Sequence, residues 1–281
     1  MSIPEAPSHA GSLAVEPAPQ KIIVFDNVSL AFEENRVLEG VSFHLEHGET
    51  KILLGVAGTG KTLILKMALG LLKPDSGHIY VLGQDVTAMR EQDLFELRRK
   101  IGMVFQESAL FDSLTVKENV GYRLIEEGIA EAEVDRRVRE ALRFVELERT
   151  IDMFPSELSG GMRRRVAIAR AIITQPEVLL YDSPTAGLDP ITSTTIIELV
   201  VKQRDVYRTS ALLVTHRLQD AFIMASHRFD KKENRMVPIA KGERIEANIS
   251  FVILREAKVI FDGTALELAQ SRDEYIREYL S

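Results

Sequence analysis

The chain has 281 residues, which allows one large domain or two small ones with a proper hydrophobic core. Its hydrophobic content of 45% and charged content of 27% are typical of a globular protein. A net charge of −7 argues against a general nucleic-acid binder, whose surface is strongly basic, so we expect no nucleic-acid partner. The absence of cysteine excludes disulfides and cysteine-based metal sites. No apolar run approaches the ~18 residues that a membrane helix needs, so any membrane role requires a partner protein.

A leader rich in Pro, Ala, Ser and Glu occupies residues 1–20, and its composition predicts disorder. The folded part begins with strand-like apolar runs separated by turn residues, at 22–25, 28–32, 41–45 and 51–54. A helical pattern follows over 61–72, and two more strands are predicted at 78–82 and 101–105.

The middle of the chain is mainly helical. Between Thr115 and Glu157, four apolar residues recur at spacings that place them on one helix face: Val134, Val138, Leu142 and Val145. Further helices are predicted at 159–174, 191–205 and 218–225, with short buried strands at 178–181 and 211–214. This alternation of strands and helices indicates a parallel sheet covered on both faces.

An extra segment at about 229–250 interrupts the alternation. It opens with a charged turn at 230–235 and ends with Ile245, Ala247 and Ile249 alternating with polar residues, which is typical of a half-exposed strand. A terminal hairpin at 251–254 and 258–261 and a C-terminal helix at 271–281 follow. The extra segment is either a plain surface hairpin or a contact with a dimer partner or accessory subunit. Deletion that left assembly intact would favour the plain hairpin.

The first chemical motif is Gly-x-x-x-x-Gly-Lys-Thr, placed after a predicted strand and before a predicted helix: Gly55, Val56, Ala57, Gly58, Thr59, Gly60, Lys61 and Thr62. Glycines let successive backbone N–H groups face the phosphates of a nucleotide, and the helix adds its positive N-terminal end. Lys61 would reach the β- and γ-phosphates, and the Thr62 hydroxyl would bind Mg²⁺. The sequence therefore predicts a site for ATP and Mg²⁺.

Two further motifs extend this site. The strand at 178–181 delivers Asp182, a carboxylate suited to the Mg²⁺ shell. Ser159, Gly160 and Gly161 begin a helix, where Ser159 is either an ordinary N-cap or part of a contact with the phosphate of another molecule. Two adjacent glycines are not needed for capping, and they make sense where a phosphate approaches the backbone closely.

The order of these motifs, together with Gln106 after a strand, Asp189 in Ala-Gly-Leu-Asp and His216 in Val-Thr-His, resembles the ATPases of ABC transporters. Phe32, 23 residues before Gly55, stands where that family has an aromatic ring. The resemblance runs from about Ile22 to the C-terminus, apart from the extra segment. It implies an α/β P-loop NTPase domain over 21–270 with a mixed core sheet, mostly parallel. An N-terminal antiparallel β subdomain and a helical signature subdomain at about 107–165 would complete it.

The resemblance also implies roles for individual residues. Phe32 would stack on adenine, Gln106 would touch Mg²⁺ or water, and His216 would contact the γ-phosphate. The opposite subunit's ATP would be contacted by Ser159, Gly160 and Gly161, and Asp189 would connect the two sites. A single strand-end histidine is more often structural, but the surrounding motif order favours function for His216.

The partners that the resemblance implies are an integral-membrane permease and a second ATPase subunit, identical or unlike. The protein would be cytoplasmic and held at the inner face of the cell membrane through the permease. A finer match lies in residues 109–116, in Glu118-Asn119-Val120 and in Met162, where most relatives carry Gln. It is similar to the ATPases of MCE-type (Mla-like) lipid transporters, although such segments are common in import-type systems. An MCE-type lipid-binding protein would then be a further partner.

One position departs from the family. After Asp182 the family places Glu, which polarises the attacking water, but this chain has Ser183. A serine hydroxyl is too weakly basic to replace it, and general-base assistance is typically worth ~10²–10⁴-fold in rate. The chain is therefore either a slow ATP hydrolase that drives transport or a non-hydrolytic ATP-binding module. An ATPase acting on DNA or ribosomes is less well supported, because the chain has neither a long coiled-coil insert nor a second cassette.

Overall fold

Strands and helices alternate along most of the computed structural model, which describes residues 20–240 and 248–280. The expected disordered leader lies outside the described residues, apart from Gln20. The strands are β1 (Lys21–Phe32), β2 (Asn35–Glu46), β3 (Glu49–Leu54), β4 (Ser76–Val81), β5 (Gln84–Asp85), β6 (Ile101–Val104), β7 (Val178–Asp182), β8 (Ser210–Val214), β9 (His227–Asp230), β10 (Arg235–Pro238), β11 (Asn248–Arg255) and β12 (Lys258–Thr264).

The helices pack around these strands. They are α1 (Lys61–Ala68), α2 (Glu91–Arg98), α3 (Val116–Glu126), α4 (Glu131–Phe144), α5 (Gly160–Ile172), α6 (Pro190–Tyr207), α7 (Leu218–Ser226), α8 (Ala265–Ala269) and α9 (Glu274–Leu280), with 3₁₀ turns at Glu148–Thr150 and Pro155–Glu157. Among the helices so described, none is both long and apolar enough to cross a membrane.

Two sheets and a small hairpin account for the strands of the described residues. The central sheet has the order β12-β11-β3-β8-β7-β6, in which only β12 is antiparallel to its neighbour. The second sheet, β2-β1-β4-β5, is antiparallel throughout. These findings confirm the expected α/β fold with a mixed, mostly parallel core sheet and an N-terminal antiparallel sheet.

The central strands are buried on both faces, which explains their uninterrupted apolar sequences. In β3, Ile52 and Leu54 belong to the hydrophobic cluster on the side of helices α3, α4 and α5, whereas Leu53 belongs to the cluster beneath the antiparallel sheet. Strands β6 and β8 lie on either side of β7 in the same sheet. Because parallel strands end at one edge, the loops after β3, β6, β7 and β8 meet there.

The signature helices α3, α4 and α5 pack on one another and enclose the predicted apolar face. Val134, Val138, Leu142 and Val145 are all buried in one cluster, as their spacing predicts. Close packing of α3 on α4 places Gly121 so near Val134 that a Cβ would lie 2.9 Å from its Cγ1.

Several predicted boundaries were wrong. The strands expected at 22–25 and 28–32 are one strand, β1, because an irregularity in pairing between Phe25 and Val28 keeps the chain in the sheet. Helix α1 ends at Ala68 rather than 72, since Gly70 adopts a φ of 65°. Helix α2 was not predicted, because Leu94 and Leu97 are its only buried residues and charged side chains hide the pattern.

The end of the extra segment also differs from the prediction. Residues 245–247 lie outside the described residues, but Ile249 and Ser250 are both buried rather than alternating. They belong to β11, which pairs in parallel with β3. In this register Ile249 lies opposite Thr50, and Ser250 lies opposite Lys51. The predicted terminal hairpin is confirmed as β11 and β12, but β11 is also a central-sheet strand. Helix α9 lies within the predicted C-terminal helix, and α8 was not predicted.

The charged turn at 230–235 connects β9 and β10, as its composition predicts. This hairpin is attached firmly to α6. The Phe229 N–H donates to the Asp205 carboxylate at 2.8 Å, and the Met236 N–H donates to Glu198 at 2.7 Å. The turn residues 231–235 are all exposed.

Candidate nucleotide-binding site

A preformed glycine-rich loop connects β3 to α1. Gly55, Gly58 and Gly60 have φ angles of 154°, 84° and 85°, in the region that favours glycine. A Cβ on Gly60 would also lie 2.8 Å from Val37 Cγ1. Gly60 precedes α1 without a side-chain cap, so the first N–H groups of the helix are available to an anion.

The Lys61 ammonium is held over this loop by the loop's own oxygens. Lys61 Nζ donates to the carbonyls of Gly55 at 2.8 Å and Val56 at 2.7 Å, and to Thr59 Oγ1 at 3.2 Å. Burial lowers the pKa of Lys61, while the negative charge of Asp182 opposes that shift. The result is a positioned cation where the motif predicts the β- and γ-phosphates.

Thr62 and Asp182 form the pair of oxygen groups that the sequence predicts for Mg²⁺. The Thr62 hydroxyl donates to Asp182 Oδ1 at 3.1 Å, which joins the start of α1 to the end of β7. Asp182 is only 5% exposed, and this burial raises its pKa, whereas hydrogen bonds from Thr62 and Ser183 lower it. A buried carboxylate beside a hydroxyl suits a hard divalent cation. The described residues hold no cluster of three or more acidic, His or Cys side chains, so phosphate oxygens and water would complete the shell.

Ser183 follows Asp182 directly in the chain and is 7% exposed. Its N–H donates to the Val214 carbonyl at 2.8 Å, and its hydroxyl lies 3.5 Å from Asp182 Oδ1. Its φ of 46° is unusual for a residue other than glycine. The short hydroxyl therefore points at Asp182 and offers no carboxylate to a water molecule.

Two other predicted residues lie at the same sheet edge, but in exposed positions. His216 follows β8, and the Thr215 N–H before it donates to the Leu53 carbonyl at 3.1 Å. This places the His216 backbone beside the strand that leads into the phosphate loop. Gln106 lies in the exposed loop after β6, and within the described part of the chain it makes no hydrogen bond to Thr62 or Asp182.

At the start of α5, the two adjacent glycines have different surroundings. Ser159 is an N-cap, and its hydroxyl accepts the Met162 N–H at 3.2 Å. Gly160 is exposed, and a Cβ there would meet only Leu188, at 3.7 Å. A Cβ on Gly161 would lie 2.3 Å from Thr192 Cγ2, so this glycine is required by packing within the chain. The expectation that both glycines serve an approaching phosphate was therefore incomplete, because Gly161 has an internal reason.

Asp189 and Phe32 complete the predicted set. Asp189 is the exposed N-cap of α6 and accepts the N–H groups of Ile191 and Thr192, both at 3.0 Å. The Thr192 hydroxyl also donates to Asp189, and this hydrogen bond lowers the pKa of the carboxyl group. Phe32 ends β1 with 48% of its surface exposed, so its ring is free to stack on a flat ligand.

The structure adds a residue that sequence reasoning missed. Arg164 is only 5% exposed and donates to the Phe105 carbonyl at 2.8 Å and the Ala186 carbonyl at 3.4 Å. It thereby joins the loop of Gln106 to the loop that leads to Asp189. In the sequence it is hidden in the run Arg163-Arg164-Arg165, which resembles an ordinary charged helix surface.

The chain is similar to known proteins in sequence and in fold. A family model described as ABC transporter matches residues 38–186. The chloroplastic protein TRIGALACTOSYLDIACYLGLYCEROL 3 of Arabidopsis thaliana is 37% identical over 263 residues, covering 90% of this chain and 71% of that protein. Methionine import ATP-binding protein MetN 1 of Bacillus thuringiensis subsp. konkukian is 35% identical, covering 84% of this chain and 69% of its own length.

Solved structures with the same fold include a dimeric, post-hydrolysis state of the ATP-binding cassette MJ0796 bound to ADP and Pi. Its TM-score is 0.72 at 28% identity, and the match covers 86% of this chain and 98% of that one. The structure of cbiO1 from Clostridium perfringens, part of the transporter complex cbiONQ, has a TM-score of 0.74 at 26% identity, covering 92% and 94%.

Proposed function

The chain belongs to the ABC transporter family, and from that premise we propose that it is an ATP-binding subunit that couples ATP binding and slow hydrolysis to transport through a separate permease. The observation that carries the proposal is the Thr62–Asp182 hydrogen bond beside the preformed phosphate loop. This hydrogen bond brings Thr62 and Asp182, the proposed magnesium ligands, together at the sheet edge that also holds the Lys61 ammonium and the free N–H groups of α1.

In this proposal each residue has a defined task. Lys61 and the loop N–H groups bind the β- and γ-phosphates, and Phe32 stacks on adenine. Thr62 and Asp182 would hold Mg²⁺, and Gln106 would become a further contact when its loop moves toward them. The ion would neutralise charge on the phosphates. His216 contacts the γ-phosphate from the end of β8.

The functional unit in this proposal is a dimer closed over two ATP molecules. Ser159 and Gly160 are exposed at the N-terminus of α5, so their backbone can approach the ATP of a second subunit. Asp189, also exposed, lies at the start of α6, which packs against α5. The second subunit is an identical copy or an unlike one, and an unlike one could supply the missing glutamate.

The permease is proposed to dock beside Gln106 and to hold the subunit at the inner face of the membrane. An aromatic pair supports this position: the exposed rings of Phe111 and Tyr122 lie 4.8 Å apart. Phe111 lies five residues after Gln106, in the same connection between β6 and α3, which supports docking beside Gln106.

The proposed cargo is a phospholipid or related lipid, with an MCE-type lipid-binding protein as a further partner. Its support is the segment 109–116, Met162, and a relative whose name contains that of a glycolipid. Other relatives are named for methionine import. ATP-dependent transfer should therefore be measured with the permease complex in vesicles, using a fluorescent phospholipid and radiolabelled methionine in parallel. Methionine uptake without lipid transfer would reject the lipid proposal.

The central test measures ATP binding and ATP hydrolysis separately in the purified chain. Calorimetric titration with ATP and Mg²⁺ should give saturable binding, and phosphate release should be measurable but slow. The rival function is a non-hydrolytic subunit that binds ATP and closes without turnover, and Ser183 is the observation that favours it. Binding with no phosphate release, alone or with the permease, would establish the rival. No binding at all would reject both.

A further inference from the structure

The C-terminal helix α9 reaches back to the phosphate loop. Tyr279 lies near the end of this helix, and its hydroxyl accepts a hydrogen bond from the Gly55 N–H at 3.1 Å. The two residues are 224 positions apart in the chain. Burial raises the pKa of Tyr279, so the group is a neutral hydroxyl at physiological pH. Neither the phosphate-loop motif nor any other motif in the sequence predicts this contact.

The same glycine is bound from its other side by Lys61. The Gly55 carbonyl accepts Lys61 Nζ at 2.8 Å while the Gly55 N–H donates to Tyr279. A Cβ on Gly55 would lie 2.7 Å from the Leu254 carbonyl, which shows how closely β11 packs against this position. Movement of Gly55 would therefore change the position of the Lys61 ammonium.

Helix α9 is itself attached to the end of β11. The Tyr275 ring stacks on the Tyr279 ring with centroids 5.9 Å apart. The Arg255 guanidinium, at the end of β11, lies 3.9 Å from the Tyr275 ring centroid. The helix, the strand and the loop therefore form one connected unit around Gly55.

We propose that Tyr279 is a positioning residue for ATP. Its hydroxyl holds Gly55 so that the Gly55 carbonyl presents the Lys61 ammonium to the phosphates. Helix α9 is then a control point, because displacement of the C-terminal segment lowers ATP affinity without any contact with the nucleotide. This inference rests on the proposed function as an ATP-binding subunit.

The test is Tyr279→Phe in the full chain, which keeps the ring and its stacking but removes the acceptor. Loss of one hydrogen bond to a partly buried N–H predicts ATP binding about 3- to 10-fold weaker by calorimetry. Because the hydrogen bond is present without nucleotide, the thermal midpoint of the nucleotide-free chain should fall by about 1–5 °C. In ¹⁵N-glycine-labelled protein, the Gly55 amide should exchange faster with solvent. Tyr275→Phe is the matched control on the same helix and should leave ATP affinity unchanged.

The outcomes separate the hydroxyl from the ring. Tyr279→Phe with wild-type ATP affinity overturns the proposal, and so does a loss of affinity that appears only in Tyr279→Ala, because ring packing would then be the cause. Equal weakening by Tyr275→Phe would likewise overturn it. If the wild-type chain binds no ATP, the proposed function fails instead, which is a distinguishable result.

Discussion

At the scale of single residues, we propose that Ser183 separates ATP binding from ATP hydrolysis. Its hydroxyl lies against Asp182, and its N–H is bound to the neighbouring strand at Val214. The backbone of this turn is therefore intact even though the side chain is not a base. Lys61, Thr62 and Asp182 are in place for the proposed binding, so we expect the departure to affect only the proton transfer from water.

Replacing Ser183 by Glu should raise the rate of ATP hydrolysis by about 10²-fold, because a carboxylate would then polarise the attacking water. The measurement is phosphate release at saturating ATP and Mg²⁺. Ser183→Gln is the control of equal size without a base and should stay at the wild-type rate. A fast wild-type enzyme that Ser183→Glu does not accelerate would contradict the prediction.

Asp182 illustrates a conflict between function and stability. Because burial raises its pKa, the folded state holds a proton on Asp182 more readily than the unfolded chain does. Its contribution to stability is therefore present below the ordinary aspartate pKa and is lost as the pH rises through the raised pKa. Above that raised pKa the ionised carboxylate lowers stability until a cation binds.

Asp182→Asn should consequently raise the thermal midpoint of the nucleotide-free protein by roughly 1–4 °C at neutral pH. The gain should shrink on acidification, as the wild-type carboxylate takes up its proton. The same variant should bind ATP at least about 10-fold more weakly in the presence of Mg²⁺. EDTA should abolish that difference, and its persistence in EDTA would mean that Asp182 does not act through Mg²⁺.

At the scale of elements, the start of α5 has two constraints on adjacent glycines. Gly161 faces α6, where Thr192 leaves no room for a Cβ, whereas a Cβ on Gly160 would make only an ordinary contact with Leu188, at 3.7 Å. Ser159 caps the helix in either case. Sequence reasoning assigned both glycines to ligand approach, but only Gly160 is free of an internal packing requirement.

Gly161→Ala should lower the thermal midpoint by several degrees, because its Cβ meets Thr192 Cγ2. Thr192→Ser removes that methyl group, keeps the hydroxyl, and should restore stability in the double variant. Gly160→Ala should be as stable as wild type, since alanine favours a helix, yet should lose ATP-dependent dimerisation. Melting curves and sedimentation measure the two effects. Equal destabilisation by both single variants would refute this assignment.

At the scale of the whole molecule, we propose that one copy of the chain carries two separate halves of a nucleotide site. The phosphate loop contacts Asp182 through Thr62 and contacts α9 through Gly55. The exposed N-terminus of α5 instead packs against α6. In the proposed dimer, each half meets its complement on the other subunit.

Because hydrolysis is expected to be slow, ATP with Mg²⁺ should accumulate the closed dimer of the wild-type chain, without the need for a non-hydrolysable analogue. Analytical ultracentrifugation at saturating ATP should show the dimer, and ADP should show mainly monomer. Ser183→Glu should shorten the lifetime of the ATP-induced dimer. A wild-type chain that stays monomeric at saturating ATP would argue for an unlike partner subunit.

Local sequence determined a large part of this protein. Backbone geometry and hydrophobic spacing act over a few residues. They determine the phosphate loop, the buried strands before Lys61 and Asp182, the N-cap at Ser159 and the apolar face of α4. Motif order then indicated the fold and the nucleotide. Helix α2 was missed because its buried residues are only Leu94 and Leu97.

Only the tertiary structure decided the contacts between distant segments. Four such contacts join residues far apart in the chain. They are the parallel pairing of β11 with β3, the close approach of Thr192 to Gly161, the bridge made by Arg164 and the hydrogen bond from Gly55 to Tyr279. Such contacts leave no periodic trace, because each depends on where the chain returns in space rather than on neighbouring residues. The sequence alone therefore determined the chemistry of the phosphate loop, whereas the tertiary structure decided what holds that loop in position.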